Sequence, residues 1–94
     1  MKVLAIGGSG GMGRYAVAAM QDFDTVERIV VADLNVESAG RFVAQLNDKV
    51  SAIGLDVSDT IAMREAMADA DLVVNTAVGA AVDAAVVPPQ PVWL

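Results

Sequence analysis

The strongest constraint in this sequence is a glycine cluster between an apolar run and an alanine-rich run. Residues 3–6 are all apolar and predict a buried strand of a parallel sheet. Residues 14–20 predict a helix that buries Ala16, Ala19 and Met20, with Phe23 continuing the same stripe. The glycines between them are spaced Gly8-x-Gly10-x-x-Gly13, and Gly7 also allows the alternative spacing Gly7-x-x-Gly10-x-x-Gly13. In this strand–turn–helix context the spacing is the dinucleotide-binding fingerprint.

Each glycine of the cluster has its own predicted role. Gly8 makes the tight turn, Gly10 lets the backbone approach a pyrophosphate, and Gly13 allows close packing of helix and strand. The first-turn N–H groups and the positive end of the helix dipole then hold the phosphates. The alternative is a purely structural turn. The predicted phosphate-binding residues are Gly8, Ser9, Gly10, Gly11, Met12 and Gly13.

The rest of the chain alternates strands and helices. Further apolar runs predict strands at residues 28–32, 50–55 and 72–74. Asn35 is predicted to cap the second helix and Ser58 the third. The resulting βαβαβαβ order, with right-handed crossovers, predicts an α/β, Rossmann-type doubly wound parallel sheet of strand order 3-2-1-4.

The C-terminal part departs from this pattern. We expect residues 1–77 to form the dinucleotide-binding domain and residues 78–94 an apolar, proline-rich tail, which extends the fold or pairs with it. A complete fold of this kind has two more strands after the fourth. The sequence therefore suggests the N-terminal part of a larger protein, whose catalytic domain lies outside these residues.

Asp33, at the predicted end of the second strand, is a candidate ligand of the adenosine ribose. It follows Gly13 by twenty residues, a spacing at which a carboxylate accepts hydrogen bonds from the ribose hydroxyls. The alternative is a solvated acid at a strand end. Leu34 and Asn35 bring no positive charge, and Arg41 lies further along the second helix. These features predict that the site binds NAD in preference to NADP. Leu34 is also predicted to be a cofactor-binding residue.

Composition excludes several classes of function. The net charge is −6, from twelve acids and six bases with no basic cluster, which argues against nucleic-acid binding. The chain has no cysteine and no histidine, so we predict no metal site and name no catalytic residue. No signal peptide or membrane-length apolar run is evident, so a cytoplasmic location is expected. Apolar residues make up 55% and charged residues 19%, which suggests apolar surface meant for a partner.

Four segments together resemble the N-terminal NAD(P)-binding domain of the saccharopine dehydrogenase-like family: VLAIGGSGGMG at residues 3–13, VAD at 31–33, LDVSD at 55–59 and ADLVVNTA at 70–77. Atypical short-chain dehydrogenases share most of these features. The resemblance implies that Asp56 contacts the adenine amino group and Val57 the adenine ring. The alternative for Asp56 is a helix-capping role. Asn75, Thr76 and Ala77 are expected at the ribose or nicotinamide side, or in a simple turn.

These observations favour the dinucleotide-binding domain of an NAD(P)-dependent oxidoreductase, which by itself is not catalytic. One alternative is a non-enzymatic module that senses NAD(P). Another is a structural fragment that self-associates through an exposed apolar sheet edge, with residues 72–74 as the candidate edge strand.

Overall fold

The computed structural model describes residues 1–7, 11–75 and 92–93, and at residues 11–12 and 92–93 it describes the backbone alone. In chain order the elements are β1 (Lys2–Ile6), α1 (Gly11–Met20), β2 (Arg28–Asp33), α2 (Val36–Val43), β3 (Val50–Gly54), α3 (Thr60–Ala68), β4 (Leu72–Asn75) and β5 (Val92–Trp93).

The strands form one parallel sheet in the order β3-β2-β1-β4-β5. The predicted order 3-2-1-4 is confirmed. The register places Val3 beside Ile29 on one side and Leu72 on the other. Because β1 lies at the centre, the chain departs from it toward β2 in one direction and later returns to β4 on its other side.

The sequence predicted no strand at Val92–Trp93, where the structure has β5. It lies within the 78–94 segment, and Val92 pairs with Leu72. Proline cannot donate to a strand ladder, and the pairing begins directly after Pro91. β4 consequently lies between β1 and β5, so β4 is not the exposed edge strand that the alternative of self-association placed at residues 72–74.

Both faces of the sheet are covered by helices, and each face has its own core. On one face, Ala5 and Val31 pack with Val17 of α1 and with Phe42 of α2. On the other face, the buried strand residues Leu4, Ile6, Ala32 and Val73 pack with Met63 and Met67 of α3. Because the strands are buried on both sides, their sequences are continuous apolar runs.

The buried face of α1 differs from its prediction. Val17 is fully buried, whereas Ala19 is exposed and 54% of the surface of Phe23 is accessible. α1 ends at Met20, so Phe23 lies in the turn that follows rather than on the helix. Gly13 and Val17, four residues apart, define the face that packs on the sheet.

The two helix caps illustrate how sensitive such predictions are to one residue. Asn35 caps α2 as predicted, since its side-chain oxygen accepts the Ser38 N–H at 3.0 Å. The cap of α3 is Asp59, whose Oδ1 accepts the Ala62 N–H at 3.1 Å, so the assignment to Ser58 was wrong. The physical reason is that α3 begins at Thr60, which makes its neighbour Asp59 the capping residue.

Asp59→Ala is expected to lower the free energy of unfolding by about 1 kcal/mol, because it removes the acceptor that caps α3. Asp59→Asn keeps an acceptor at the same place and should retain most of that stability. Urea denaturation followed by circular dichroism measures both. Equal losses in the two variants would contradict the assignment of Asp59 as the cap.

Candidate functional site

A cavity lies where the carboxyl ends of β1, β2 and β3 meet. It has a volume of about 250 Å³ and is lined by Ile6, Gly7, Ala32, Asp33, Leu34, Leu55, Asp56 and Val57. In open parallel sheets, ligands bind at this edge, beside the point where the strand order reverses. Here that point is β1, which has β2 on one side and β4 on the other.

The chain leaves β1 through Gly7, whose φ of 72° lies in the left-handed region. Its N–H donates a hydrogen bond to the carbonyl of Ala32 at 2.8 Å, which joins the ends of β1 and β2. A glycine adopts this conformation without the strain that a side chain would introduce. The tight turn was predicted at Gly8, which lies outside the described residues together with Ser9 and Gly10. Gly7 is the first glycine of the alternative spacing Gly7-x-x-Gly10-x-x-Gly13.

α1 begins at Gly11, directly after the glycine segment, and Gly13 is buried in its first turn. This placement agrees with a close approach of α1 to the sheet at Gly13. The first turn contains no acidic residue. Its N–H groups have no acceptor within the helix, and the helix dipole makes this end positive. Gly11, Met12 and Gly13 therefore offer a backbone environment that suits an anion.

Asp33 ends β2 on the cavity wall and is half-buried. Its carbonyl accepts the Leu55 N–H at 3.0 Å, and its Oδ1 accepts the Asn35 N–H at 3.1 Å. These bonds fix both the backbone and the carboxylate of Asp33. Leu34, the next residue, has 76% of its surface exposed and lines the same cavity.

Asp56 brings a second carboxylate to the cavity. Its Oδ1 accepts the Ser58 hydroxyl at 2.7 Å and the Ser58 N–H at 2.9 Å. The hydroxyl bond and then the N–H bond lower the pKa of Asp56 below its ordinary value of 3.8, against a small opposing effect of desolvation. Asp56 is therefore ionised at neutral pH. Val57 is half-buried beside it and packs against the α3 core.

The structure thus brings four of the predicted binding residues to one cavity: Asp33, Leu34, Asp56 and Val57. Asn75 is the last residue of β4 and pairs with Ile6, while Thr76 and Ala77 lie outside the described residues. Within residues 1–7, 11–75 and 92–93, no cluster of acids suits a metal ion. No helix in the same part of the chain has the length and hydropathy to cross a membrane.

Comparison with known proteins assigns this architecture to a family. Residues 3–87 match the model of the saccharopine dehydrogenase NADP binding domain. The chain belongs to this family. It is accordingly a nicotinamide-dinucleotide-binding domain with a Rossmann-type fold.

Solved structures share the fold. An apo, histidine-tagged saccharopine dehydrogenase (L-Glu forming) from Saccharomyces cerevisiae has 26% identity and a TM-score of 0.70, over 81% of this chain and 16% of that one. A serine dehydrogenase from Escherichia coli has 23% identity and a TM-score of 0.71, over 86% of this chain and 40% of that one. The dTDP-glucose 4,6-dehydratase from Bacillus anthracis str. Ames, in complex with NAD, has 23% identity and a TM-score of 0.68, over 82% of this chain and 26% of that one.

The domain therefore spans well under half the length of each of these proteins. The described residues of the site fit a dinucleotide. A left-handed glycine follows β1, α1 begins with a turn that contains no acid, and a carboxylate held by a hydrogen bond ends β2. When bound, a nicotinamide dinucleotide supplies hydride-transfer chemistry, and the protein supplies binding and orientation.

Gly7→Ala is expected to lower the free energy of unfolding by about 1 to 2 kcal/mol, because alanine is strained at this positive φ. Gly40→Ala is the matched control, since an added Cβ there meets no atom within 4 Å and Gly40 lies inside α2. That substitution should raise stability by about 0.5 to 1 kcal/mol. Urea denaturation distinguishes the two, and a stable Gly7→Ala protein would contradict the strained turn.

Ser58→Ala is expected to raise the pKa of Asp56 toward 3.8, because it removes the hydroxyl bond that lowers the pKa most. Carbon-13 NMR titration of the Asp56 carboxyl measures the midpoint in both proteins. In the wild type, the stabilisation from this depressed pKa is present above about pH 3.8 and is lost as the pH falls through the lower folded value. An unchanged midpoint would show that the Ser58 hydroxyl has no influence on Asp56.

Proposed function

We propose that this domain binds NAD in preference to NADP and serves as the cofactor-binding part of an oxidoreductase. The observation that carries the proposal is the Asp33 carboxylate, held on the cavity wall at the end of β2 by the Asn35 N–H. A carboxylate at this point of the fold accepts hydrogen bonds from the ribose hydroxyls of NAD. The family description, by contrast, names NADP.

The proposed binding mode assigns each part of the cofactor to a different element. The pyrophosphate lies against the glycine segment and the first turn of α1, with Gly8, Ser9, Gly10, Gly11, Met12 and Gly13 as its backbone ligands. The ribose of adenosine binds Asp33. The adenine ring lies beside Leu34 and Val57, and its amino group donates to Asp56. The nicotinamide half lies toward Thr76 and Ala77.

Charge supports the preference for NAD. NADP carries a phosphate at the ribose 2′ position, next to where Asp33 would contact the ribose. Two unit charges 4 Å apart repel by about 1 kcal/mol in water and about 4 kcal/mol near a protein surface. The described residues that line the cavity and its outer mouth include Asp33, Glu37 and Asp56 but no lysine or arginine. A 2′-phosphate would therefore meet negative charge without a compensating cation.

We further propose that the substrate and any proton donor are held by another part of the full-length protein. Tyr15 has 78% of its surface exposed on α1, and the chain has no histidine or cysteine. The likeness to dehydrogenases that are much longer than this domain supports the same division. The domain contributes binding and orientation of the cofactor.

Calorimetric titration of the chain with NAD and NADP tests this proposal. NAD should bind more tightly than NADP, and Gly10→Val should abolish binding because its side chain blocks the pyrophosphate. Asp33→Asn keeps an Oδ1 acceptor for the Asn35 N–H but removes the charge. It should weaken NAD about tenfold, the effect of losing a charged hydrogen bond, and strengthen NADP.

Asp24→Asn is the matched control, because it removes the same charge from an exposed turn after α1. It should leave both affinities unchanged. A wild-type chain that prefers NADP, or an Asp33→Asn variant with an unaltered preference, would overturn the role given to Asp33. Absence of any binding in the full-length protein would overturn the cofactor assignment itself.

A further inference from the structure

Two sets of contacts join α1 to α2. At the lower end, away from the cavity, Gln21 follows α1 and Asn47 follows α2. The Asn47 N–H donates to Gln21 Oε1 at 3.0 Å, and Asn47 Nδ2 donates to the Gln21 carbonyl at 3.4 Å. These hydrogen bonds fix the lower ends of the two helices against each other.

The second contact joins Arg14, in the first turn of α1, to Phe42, in the last turn of α2. The Arg14 guanidinium carbon lies 5.1 Å from the centroid of the Phe42 ring. Arg14 is exposed, whereas Phe42 has 7% of its surface accessible and belongs to the core of that face. A guanidinium over an aromatic face at this distance is a cation–π interaction. It anchors the mobile end of an arginine to a ring that is itself immobilised by packing.

The Arg14–Phe42 contact links the first turn of α1 to α2. Arg14 belongs to the helical turn that faces the proposed pyrophosphate. Phe42 lies in the last turn of α2, and the opposite end of this helix is capped by Asn35, whose N–H binds the Asp33 carboxylate. α1 has ten residues and is about 15 Å long, so a small rotation about its lower end displaces its first turn substantially. Val17 packs the middle of α1 on the sheet. Because apolar packing is non-directional, this contact alone does not fix the orientation of the helix.

We propose that Arg14 is a positioning residue that acts through Phe42 to hold the first turn of α1 at a fixed distance from Asp33. Its effect on the cofactor rests on the proposed function, but its effect on α1 does not. The alternative role for Arg14 is to attract the cofactor phosphates directly, by its charge alone. The two roles differ in whether Phe42 is needed.

The test uses Arg14→Met, Phe42→Leu, the double variant, and Arg41→Met as the matched control. Arg41 lies in the last turn of α2 and carries the same charge. Hydrogen exchange by NMR, without cofactor, reports on α1 directly. Arg14→Met and Phe42→Leu should each accelerate exchange of the Tyr15 and Ala16 amides, whereas the amides of α3 and β1 stay as in the wild type and show that the fold is intact.

Titration with NAD gives the second readout. Arg14→Met and Phe42→Leu should each raise the Kd about two- to five-fold, the range to which a cation–π energy at an exposed site converts. The double variant should bind NAD no more weakly than the weaker-binding single variant, because both substitutions remove the same interaction. Adenosine, which has no phosphate, should bind all variants alike in NMR shift titrations. Arg41→Met should behave as the wild type.

Three results would overturn the proposal. Unchanged amide exchange in Arg14→Met and Phe42→Leu would show that the contact does not hold α1, whether or not the chain binds NAD. A weaker NAD affinity in Arg14→Met with a normal affinity in Phe42→Leu would assign Arg14 to direct charge attraction. Additive losses in the double variant would show that the two residues act independently. If the chain does not bind NAD, the exchange result alone decides the role of Arg14, and titration of the full-length protein decides the proposed function.

Discussion

Burial of the parallel sheet on both faces is the constraint on which the rest of the structure depends. Each inner strand must be apolar along its length, since α1 and α2 cover one face and α3 the other. Polar side chains are therefore displaced to the strand ends. The two carboxylates of the cavity follow this rule: Asp33 ends β2, and Asp56 comes two residues after β3. The location of the candidate site is thus a consequence of how the core is packed.

The same constraint explains how much of the fold could be predicted from the sequence. The apolar runs identify β1 to β4, and the handedness of parallel crossovers then leaves few possible strand orders. β5 could not be predicted, because two residues after a proline-rich segment carry no periodic pattern. The helix ends at Met20, and Phe23, in the turn that follows, does not continue its buried face but has 54% of its surface accessible. Sequence patterns identify elements more reliably than their boundaries.

The candidate site shows a similar division. The position of Asp33 at the cavity was predictable, because it follows from the place of this residue at a strand end. The spacing alone allowed either Gly7 or Gly8 as the first glycine of the motif, and the left-handed conformation of Gly7 accompanies a hydrogen bond to Ala32, which belongs to another strand. The contact between Arg14 and Phe42 could not be predicted either, because the two residues lie on different helices, 28 positions apart in sequence. Spacing rules describe neighbours on one element, whereas these contacts exist only after the elements have packed.

A net charge of −6 raises the question of how such a chain could hold the two phosphates of a dinucleotide. Exposed acids act through solvent, where salt screens charge over about 8 Å at physiological ionic strength. A helix terminus acts through N–H groups at hydrogen-bonding distance, where screening is weak. The first turn of α1 contains no acid, and its one charged side chain is Arg14. Local dipoles can therefore favour the pyrophosphate while the acids at the other end of the cavity oppose a further phosphate on the ribose. In the proposed binding mode, discrimination between NAD and NADP would come from where the negative charge lies rather than from its total.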